Sequence, residues 1–159
     1  MDVEPISPHA ITITVERLIA PAIETAPGLH YVDGWSLSSR DRDFGGLSSL
    51  MIDDGKFVSL SDIGAVIRFG MDANGKISDA SINPLPRGCA SDADKRDRDS
   101  ESIARDSATG TYWIGFEWRN VICRSDARLA KAERLVKPEV MKHWSKTGGP
   151  EAIIRLADG

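Results

Sequence analysis

The sequence predicts an all-β fold made of short antiparallel strands, and three observations support this prediction. Short apolar runs alternate with turn residues at close spacing from residue 44 onward. Residues 10–18 also alternate apolar with polar side chains. Finally, Ser48, Glu101 and Glu151 occupy the same place in three similar segments that lie about 50 residues apart, which indicates a structural repeat.

Each repeated segment has the size of one blade of a β-propeller, because four short strands fit into about 50 residues. The sequence therefore predicts a partial, open β-propeller with about two four-stranded blades and the first strand of a third. Residues 1–28 are interpreted as an N-terminal strand and linker, and residues 29–159 as the partial propeller. Within it, the predicted units are residues 44–98 and 99–147, with the start of a third at 148–159.

Two β-rich runs precede the first unit. Residues 10–18 place Ile11, Ile13 and Val15 on one side, which has the two-residue period of a half-buried strand. A loop with Pro21, Pro27 and Gly28 follows, and residues 29–38 then predict a second strand.

The two complete units repeat the same order of strands and turns. The first is predicted to have strands at 44–52, 56–61, 65–69 and 76–82, and the second at 101–104, 111–116, 121–124 and 132–136. Residues 125–136 also have helix propensity, but the repeat predicts a strand within them. The third unit begins near Gly149, and residues 157–159 are interpreted as a turn.

Two units and one strand cannot close into a ring, so sheet edges stay open. We therefore expect either a piece of a longer protein or assembly of several copies into one ring. Open edges also predict self-association.

Composition and charge exclude some classes of function. The formal net charge of -4 and the pI near 5.4 argue against a nucleic-acid binder. No run approaches the roughly 18 apolar residues of a membrane span, and the given chain shows no export signal. Cys89 and Cys123 are compatible with one disulfide or with two buried thiols.

Several motifs, taken in order, resemble the phytase-like domain family, also described as esterase-like proteins of the phytase group. The matching segments are 35–37, 44–50, 61–64, 99–103, 115–117 and 148–152. The resemblance runs from about Leu29 to the C-terminus and corresponds to the N-terminal portion of the family domain. It implies a β-propeller about twice this length, a periplasmic or secreted location, and hydrolysis of phosphate or carboxylic esters.

Acidic residues of successive units are the candidates for a metal site. First strands of propeller blades line the central channel, so Glu101 and Glu151 are expected to face one space, with Asp62 and Glu117 at strand ends nearby. Carboxylates that meet repel one another unless a cation neutralises them, and Ca²⁺ accepts six to eight oxygen ligands. The alternative is that each acid accepts backbone hydrogen bonds and holds neighbouring blades together.

A metal held by these acids would support hydrolysis of a small-molecule ester or phosphate. Glu101 and Glu151 are the candidate catalytic residues, and Arg68 and Arg119 are candidate partners of an anionic substrate. The alternative function, from another class, is a non-catalytic propeller that binds a ligand or a protein at the channel mouth.

Two further groups of residues are less informative. Ser48 lies in Gly46-Leu47-Ser48-Ser49-Leu50, which lacks the second glycine and the strand-to-helix turn of a nucleophile elbow. The four tryptophans are expected to pack between blades rather than to form a ligand platform.

Overall fold

The structure, a computed structural model, describes residues 7–19, 27–90 and 94–156. This part of the chain contains eleven β-strands, two short 3₁₀ helices and no α-helix. The strands are β1 (His9–Ala10), β2 (Thr14–Arg17), β3 (Trp35–Ser38), β4 (Leu47–Asp53), β5 (Lys56–Ser61), β6 (Ala65–Met71), β7 (Ile77–Pro84), β8 (Ser100–Arg105), β9 (Tyr112–Phe116), β10 (Val121–Ser125) and β11 (Ala132–Val136). The 3₁₀ helices are η1 (Lys95–Asp97) and η2 (Glu139–His143). The predicted all-β class is therefore confirmed.

Two antiparallel sheets contain most of the strands. The first has the order β1-β7-β6-β5-β4 and the second the order β11-β10-β9-β8. Both are meanders, because consecutive strands are joined by short turns such as Asp53-Asp54-Gly55, where Asp54 and Gly55 have positive φ. The first strands of the two sheets, β4 and β8, lie next to each other.

Apolar side chains of the two sheets form a shared core. Val58, Leu60 and Val66 of the first sheet pack against Ile114 and Phe116 of the second, and all five side chains are buried. Alternate positions on β6 point to the opposite face of the first sheet, as the two-residue period requires. That second face has its own apolar cluster, which includes Ala65, Ile67, Phe69 and Ile82.

The connection between the sheets is held by a disulfide. Cys89 lies in the segment after β7 and is bonded to Cys123 of β10, with a Cα–Cα distance of 5.5 Å. Of the two alternatives that the sequence allowed, the structure has the disulfide. Because both cysteines are fully buried within the shared core, the bond joins the crossover segment to the middle of the second sheet.

The prediction of one continuous strand over residues 10–18 is wrong. The structure has two separate strands here, β1 and β2. The chain first pairs with β7 through β1 and then with β3 through β2, in a separate two-stranded sheet. Between these strands Ile13 is buried against the second face of the first sheet. A two-residue period reports which side chains are buried, but not which strand is the neighbour.

The predicted first strand of the third unit is also absent. Residues 151–156 have no strand ladder, because no neighbouring strand in the described part of the chain pairs with them. The turn predicted at 157–159 lies outside the described residues. In residues 125–136, where helix and strand compete, the structure has β11 at the predicted positions. No helix in the described ranges is long and apolar enough to span a membrane.

Candidate functional site

Three carboxylates meet at the start of the second sheet. One oxygen each of Asp99, Glu101 and Glu117 lies within 4.8 Å of the others, and all three residues are half-buried. Glu151 is close enough to raise the pKa of both glutamates. The structure therefore brings together three of the four predicted acids and adds Asp99.

A β-bulge directs the side chain of Glu101. In the ladder between β8 and β9, Ser100 is opposite Phe116 and Ser102 is opposite Gly115, so that Glu101 is the extra residue. Such bulges bend a strand locally and change the direction of a side chain. The first sheet has its bulge at Ser48, the position that the motif comparison aligns with Glu101.

A tight turn between β9 and β10 presents Glu117. Trp118 and Asn120 in this turn both have positive φ, at 51° and 48°. Asparagine tolerates this region, whereas a tryptophan there costs conformational energy. The Glu117 N–H donates to the carbonyl of Asp99 at 2.9 Å, and the Trp118 indole donates to the Asp99 carboxylate at 2.8 Å. The turn and the start of β8 are thus held as one unit.

The segment at 148–151 brings Glu151 to the same place. A Cβ at Gly149 would lie 2.8 Å from the Cα of Glu117, so only glycine permits this close approach. The buried Ser102 hydroxyl donates a hydrogen bond to the carbonyl of Pro150. The Glu151 residue itself is exposed, at the edge of the acidic group.

Burial and mutual repulsion change the proton affinity of this group. Desolvation, followed by the charges of Asp99, Glu151 and Glu117, raises the pKa of Glu101 to about 7. Desolvation and the same neighbouring acids also raise the pKa of Glu117. Near neutral pH the group therefore either holds a proton at Glu101 or requires a cation.

Asp62 occupies the corresponding strand end in the first sheet, outside this group. Its backbone N–H donates to Gly46 at 2.9 Å, as Glu117 does to Asp99. Its carboxylate lies over Gly46, where a Cβ would come within 2.0 Å of Oδ1. Glycine at position 46 stands where the second sheet has Asp99, and the Asp62 carboxylate lies 4.0 Å from Lys95 Nζ.

The two candidate arginines lie apart from the acidic group. Arg119 donates to the carbonyl of Cys89 at 2.9 Å and lies 4.0 Å from Asp97. Arg68 lines a cavity that contains none of the acidic residues, together with Arg87 and Arg128. Arg96 lies over the Trp118 ring, with its guanidinium carbon 4.9 Å from the ring centroid.

Ser48 has a structural role. Its hydroxyl donates a hydrogen bond to the carbonyl of Ser100, across the gap between the first strands of the two sheets. A nucleophilic serine of the Ser-His-Asp type requires a histidine base. In the described ranges His9 is paired with Asp41, and no histidine contacts Ser48.

Asp99 and Trp118 are the members of the site that the residue analysis did not select. Asp99 is two residues before Glu101, and strand geometry places residues i and i+2 on one face, which is the signal that points to it. No sequence signal predicts the indole hydrogen bond of Trp118, because it depends on the positive φ of the turn.

Comparison with known proteins identifies the family of this chain. The sequence profile of the phytase-like family, described as "esterase-like activity of phytase", matches residues 42–159. The chain belongs to the phytase-like family. No curated protein and no solved structure showed significant similarity to it.

The region that matches the phytase-like family includes the whole acidic group. Asp99, Glu101, Glu117 and Glu151 all lie within the matched region, as do both four-stranded meanders. The N-terminal strands β1 to β3 lie before it. The part of the phytase-like chain that builds the site is therefore the part that the family shares.

Proposed function

We propose that this phytase-like chain takes part in metal-assisted hydrolysis of a phosphate or carboxylic ester, with the acidic group as its centre. The observation that carries the proposal is the convergence of Asp99, Glu101 and Glu117 on one point, with Glu151 nearby. We also propose that the two meanders are blades of a β-propeller, whose adjacent first strands β4 and β8 line the channel.

Ca²⁺ is the cation that we propose for this group. Asp99, Glu101 and Glu117 offer only carboxylate oxygens, and these lie within 4.8 Å of one another. Ca²⁺ takes six to eight oxygen ligands in flexible geometry, whereas Mg²⁺ demands a near-ideal octahedron and usually keeps several waters.

The residues of the site would have different roles in the hydrolysis. A bound cation supplies polarisation of the ester oxygen. Trp118 fixes Asp99 through the indole hydrogen bond. Glu101 and Glu151 are the groups that would take a proton from water or give one to the leaving group. The pKa of Glu101 is about 7 in the metal-free group; a bound cation would lower it, so Glu101 would then be an ionised ligand able to accept a proton.

The disulfide supports an extracytoplasmic location, because disulfides persist mainly in oxidising compartments such as the periplasm. We therefore propose export of the protein, as the family resemblance implies.

Self-association is proposed as well. The first sheet exposes apolar side chains on its edge strand β4, where Leu50 and Ile52 are 63% and 67% exposed. Together with β3, this strand lines an apolar groove of about 570 Å³. An exposed edge with apolar side chains favours pairing with another chain.

Calcium-dependent stability tests the metal site directly. At a concentration of Ca²⁺ about a hundredfold above Kd, binding should stabilise the folded state by about 2.7 kcal/mol, which corresponds to a rise in Tm of roughly 5–10 °C. The measurement is thermal unfolding with Ca²⁺ and with chelator. Glu101→Gln should abolish the rise, whereas the matched control Glu139→Gln, on the exposed helix η2, should keep it.

Hydrolysis is tested separately with p-nitrophenyl phosphate and p-nitrophenyl acetate. Calcium-dependent turnover that is lost in both Glu101→Ala and Glu151→Ala supports the hydrolase. Calcium binding without turnover of either ester would instead favour the non-catalytic binding module. Absence of any Ca²⁺ effect on Tm would remove the metal from the proposal.

A further inference from the structure

A second cavity, of about 270 Å³, lies where the two sheets are connected and shares no residue with the acidic group. It is lined by Pro8, Val66, Arg68, Asn83, Pro84, Leu85, Arg87, Arg128, Leu129 and Ala130. Three of these ten residues are arginines and none is acidic. Because the chain as a whole has a net charge of -4, this local excess of positive charge is not a consequence of composition.

Three different elements contribute the arginines. Arg68 lies on β6, Arg87 follows β7 in the crossover segment, and Arg128 belongs to the turn between β10 and β11. Two of these elements are hydrogen-bonded to each other, since Arg87 N–H donates to the carbonyl of Ala130 at 3.0 Å and Ala132 N–H donates to the carbonyl of Arg87 at 2.7 Å. The cavity is thus assembled by contacts between distant parts of the chain.

The backbone that presents the arginines is firmly held. The Asp126 carboxylate accepts hydrogen bonds from the N–H groups of Ala130 and Lys131, which fixes the turn that contains Arg128. The disulfide of Cys89 holds the segment that contains Arg87. A site whose backbone is already ordered loses less conformational entropy when it binds a ligand.

Among the described residues, nothing occupies the guanidinium groups of Arg87 and Arg128, and both residues are exposed. In the described ranges neither side chain has an ion-pair or hydrogen-bond partner. Arg68 is hydrogen-bonded to the hydroxyl of Tyr112, and that hydroxyl donates to Asp53. The Asp53 carboxylate is paired with Arg105 at 3.1 Å and does not line the cavity.

We infer that this cavity binds a compact dianionic oxyanion of the phosphate class. Guanidinium groups match the oxygens of phosphate with paired, charge-assisted hydrogen bonds. Three like charges around one cavity repel one another, and an anion of charge near −2 relieves that repulsion. The buried apolar side chains of Val66, Leu85 and Leu129 form part of the wall.

The test is isothermal titration calorimetry of the full chain with inorganic phosphate in calcium-free buffer at constant ionic strength. Without Ca²⁺ the acidic group cannot recruit phosphate through a metal, so the result is independent of the proposed hydrolytic site. We expect saturable binding of one phosphate per chain. Loss of one charge-assisted contact in Arg87→Ala or Arg128→Ala should weaken binding at least about tenfold.

Arg134→Ala is the matched control, since Arg134 is an exposed arginine on β11 that does not line the cavity. Binding should be unchanged in this variant. Absence of saturable phosphate binding by the wild type would overturn the inference. Equal weakening in Arg134→Ala and Arg128→Ala would also overturn it, because that result means attraction to net charge alone. Circular dichroism of each variant, with Arg87→Lys as a conservative second variant, excludes loss of fold as the cause.

Discussion

Glu101 holds its proton at a pH at which an exposed glutamate is ionised. Its folded-state pKa is about 7 because it is partly desolvated and faces Asp99, Glu117 and Glu151. A carboxyl group whose pKa is raised on folding contributes stability that is fully present below its unfolded pKa and is lost as pH rises through the folded value. The ionisation of Glu101 should therefore lower the free energy of unfolding of the metal-free protein as the pH rises from 4.5 through 7.

We accordingly expect the Tm in chelator to be higher at pH 6 than at pH 8, and Glu101→Gln to reduce this difference by raising Tm at pH 8. The measurement is thermal unfolding of both proteins across this range. His9 acts in the same direction, because the Ser7 carbonyl and Asp41 raise its pKa, so only the difference between the two proteins reports Glu101. Identical pH profiles would contradict the prediction.

At the same scale, the structure brings together Glu101, Glu117 and Glu151 of the four acids that the sequence selected. Glu101 lies at the start of β8 and Glu117 directly follows β9, and these two strands are antiparallel neighbours. Asp62 is at the equivalent strand end, but glycine stands at position 46 where the second sheet has Asp99, and among the described residues no group of three acids includes Asp62. Arg68 and Arg119 lie elsewhere, since the direction of a long side chain depends on packing that a sequence pattern does not describe.

At the scale of single elements, β5 and β11 have the predicted bounds, and turn residues explain why. Asp53-Asp54-Gly55 and Ser125–Lys131 mark where one strand stops and the next begins. The strand predicted over 10–18 fails because its alternation continues while the chain passes from one sheet to another. Alternation is a property of burial, whereas a strand also needs a hydrogen-bonded neighbour.

The crossover between the sheets is joined to the second sheet by the disulfide and by the backbone hydrogen bonds of Arg87. Cys89 and Cys123 close a loop with a sequence separation of 34. A crosslink of this length contributes roughly 2–4 kcal/mol, through restriction of the unfolded chain in the loop-entropy description. We expect the double variant Cys89→Ser, Cys123→Ser to be less stable by this amount, as measured by urea unfolding.

Wild-type protein unfolded in the presence of a reductant is the control for this variant. It should approach the stability of the double variant, because the same crosslink is absent. If the oxidised wild type and the double variant unfold at the same urea concentration, the disulfide contributes no stability.

For the whole molecule, the apolar side chains on β4 lead us to expect concentration-dependent self-association. Replacing Leu50 with lysine places a charge in the apolar groove beside β4 and should shift the protein toward monomer. Light scattering coupled to size-exclusion chromatography measures this shift. Val32→Lys is a matched control, since Val32 is 90% exposed and lies outside the groove. A wild type that stays monomeric at all concentrations would contradict the expectation.

The serine hydrogen bonds that join neighbouring segments determine when each part of the molecule can be completed during synthesis. Ser48 donates to a carbonyl 52 residues later, and Ser102 donates to one 48 residues later. In both cases the acceptor is made after the donor, so the contact cannot form as the strand leaves the ribosome. At about 5–20 residues per second, the delay is roughly 3–10 s. During that interval the start of each sheet lacks this hydrogen bond and its first strand is less firmly held, which is when chaperone binding would have most effect.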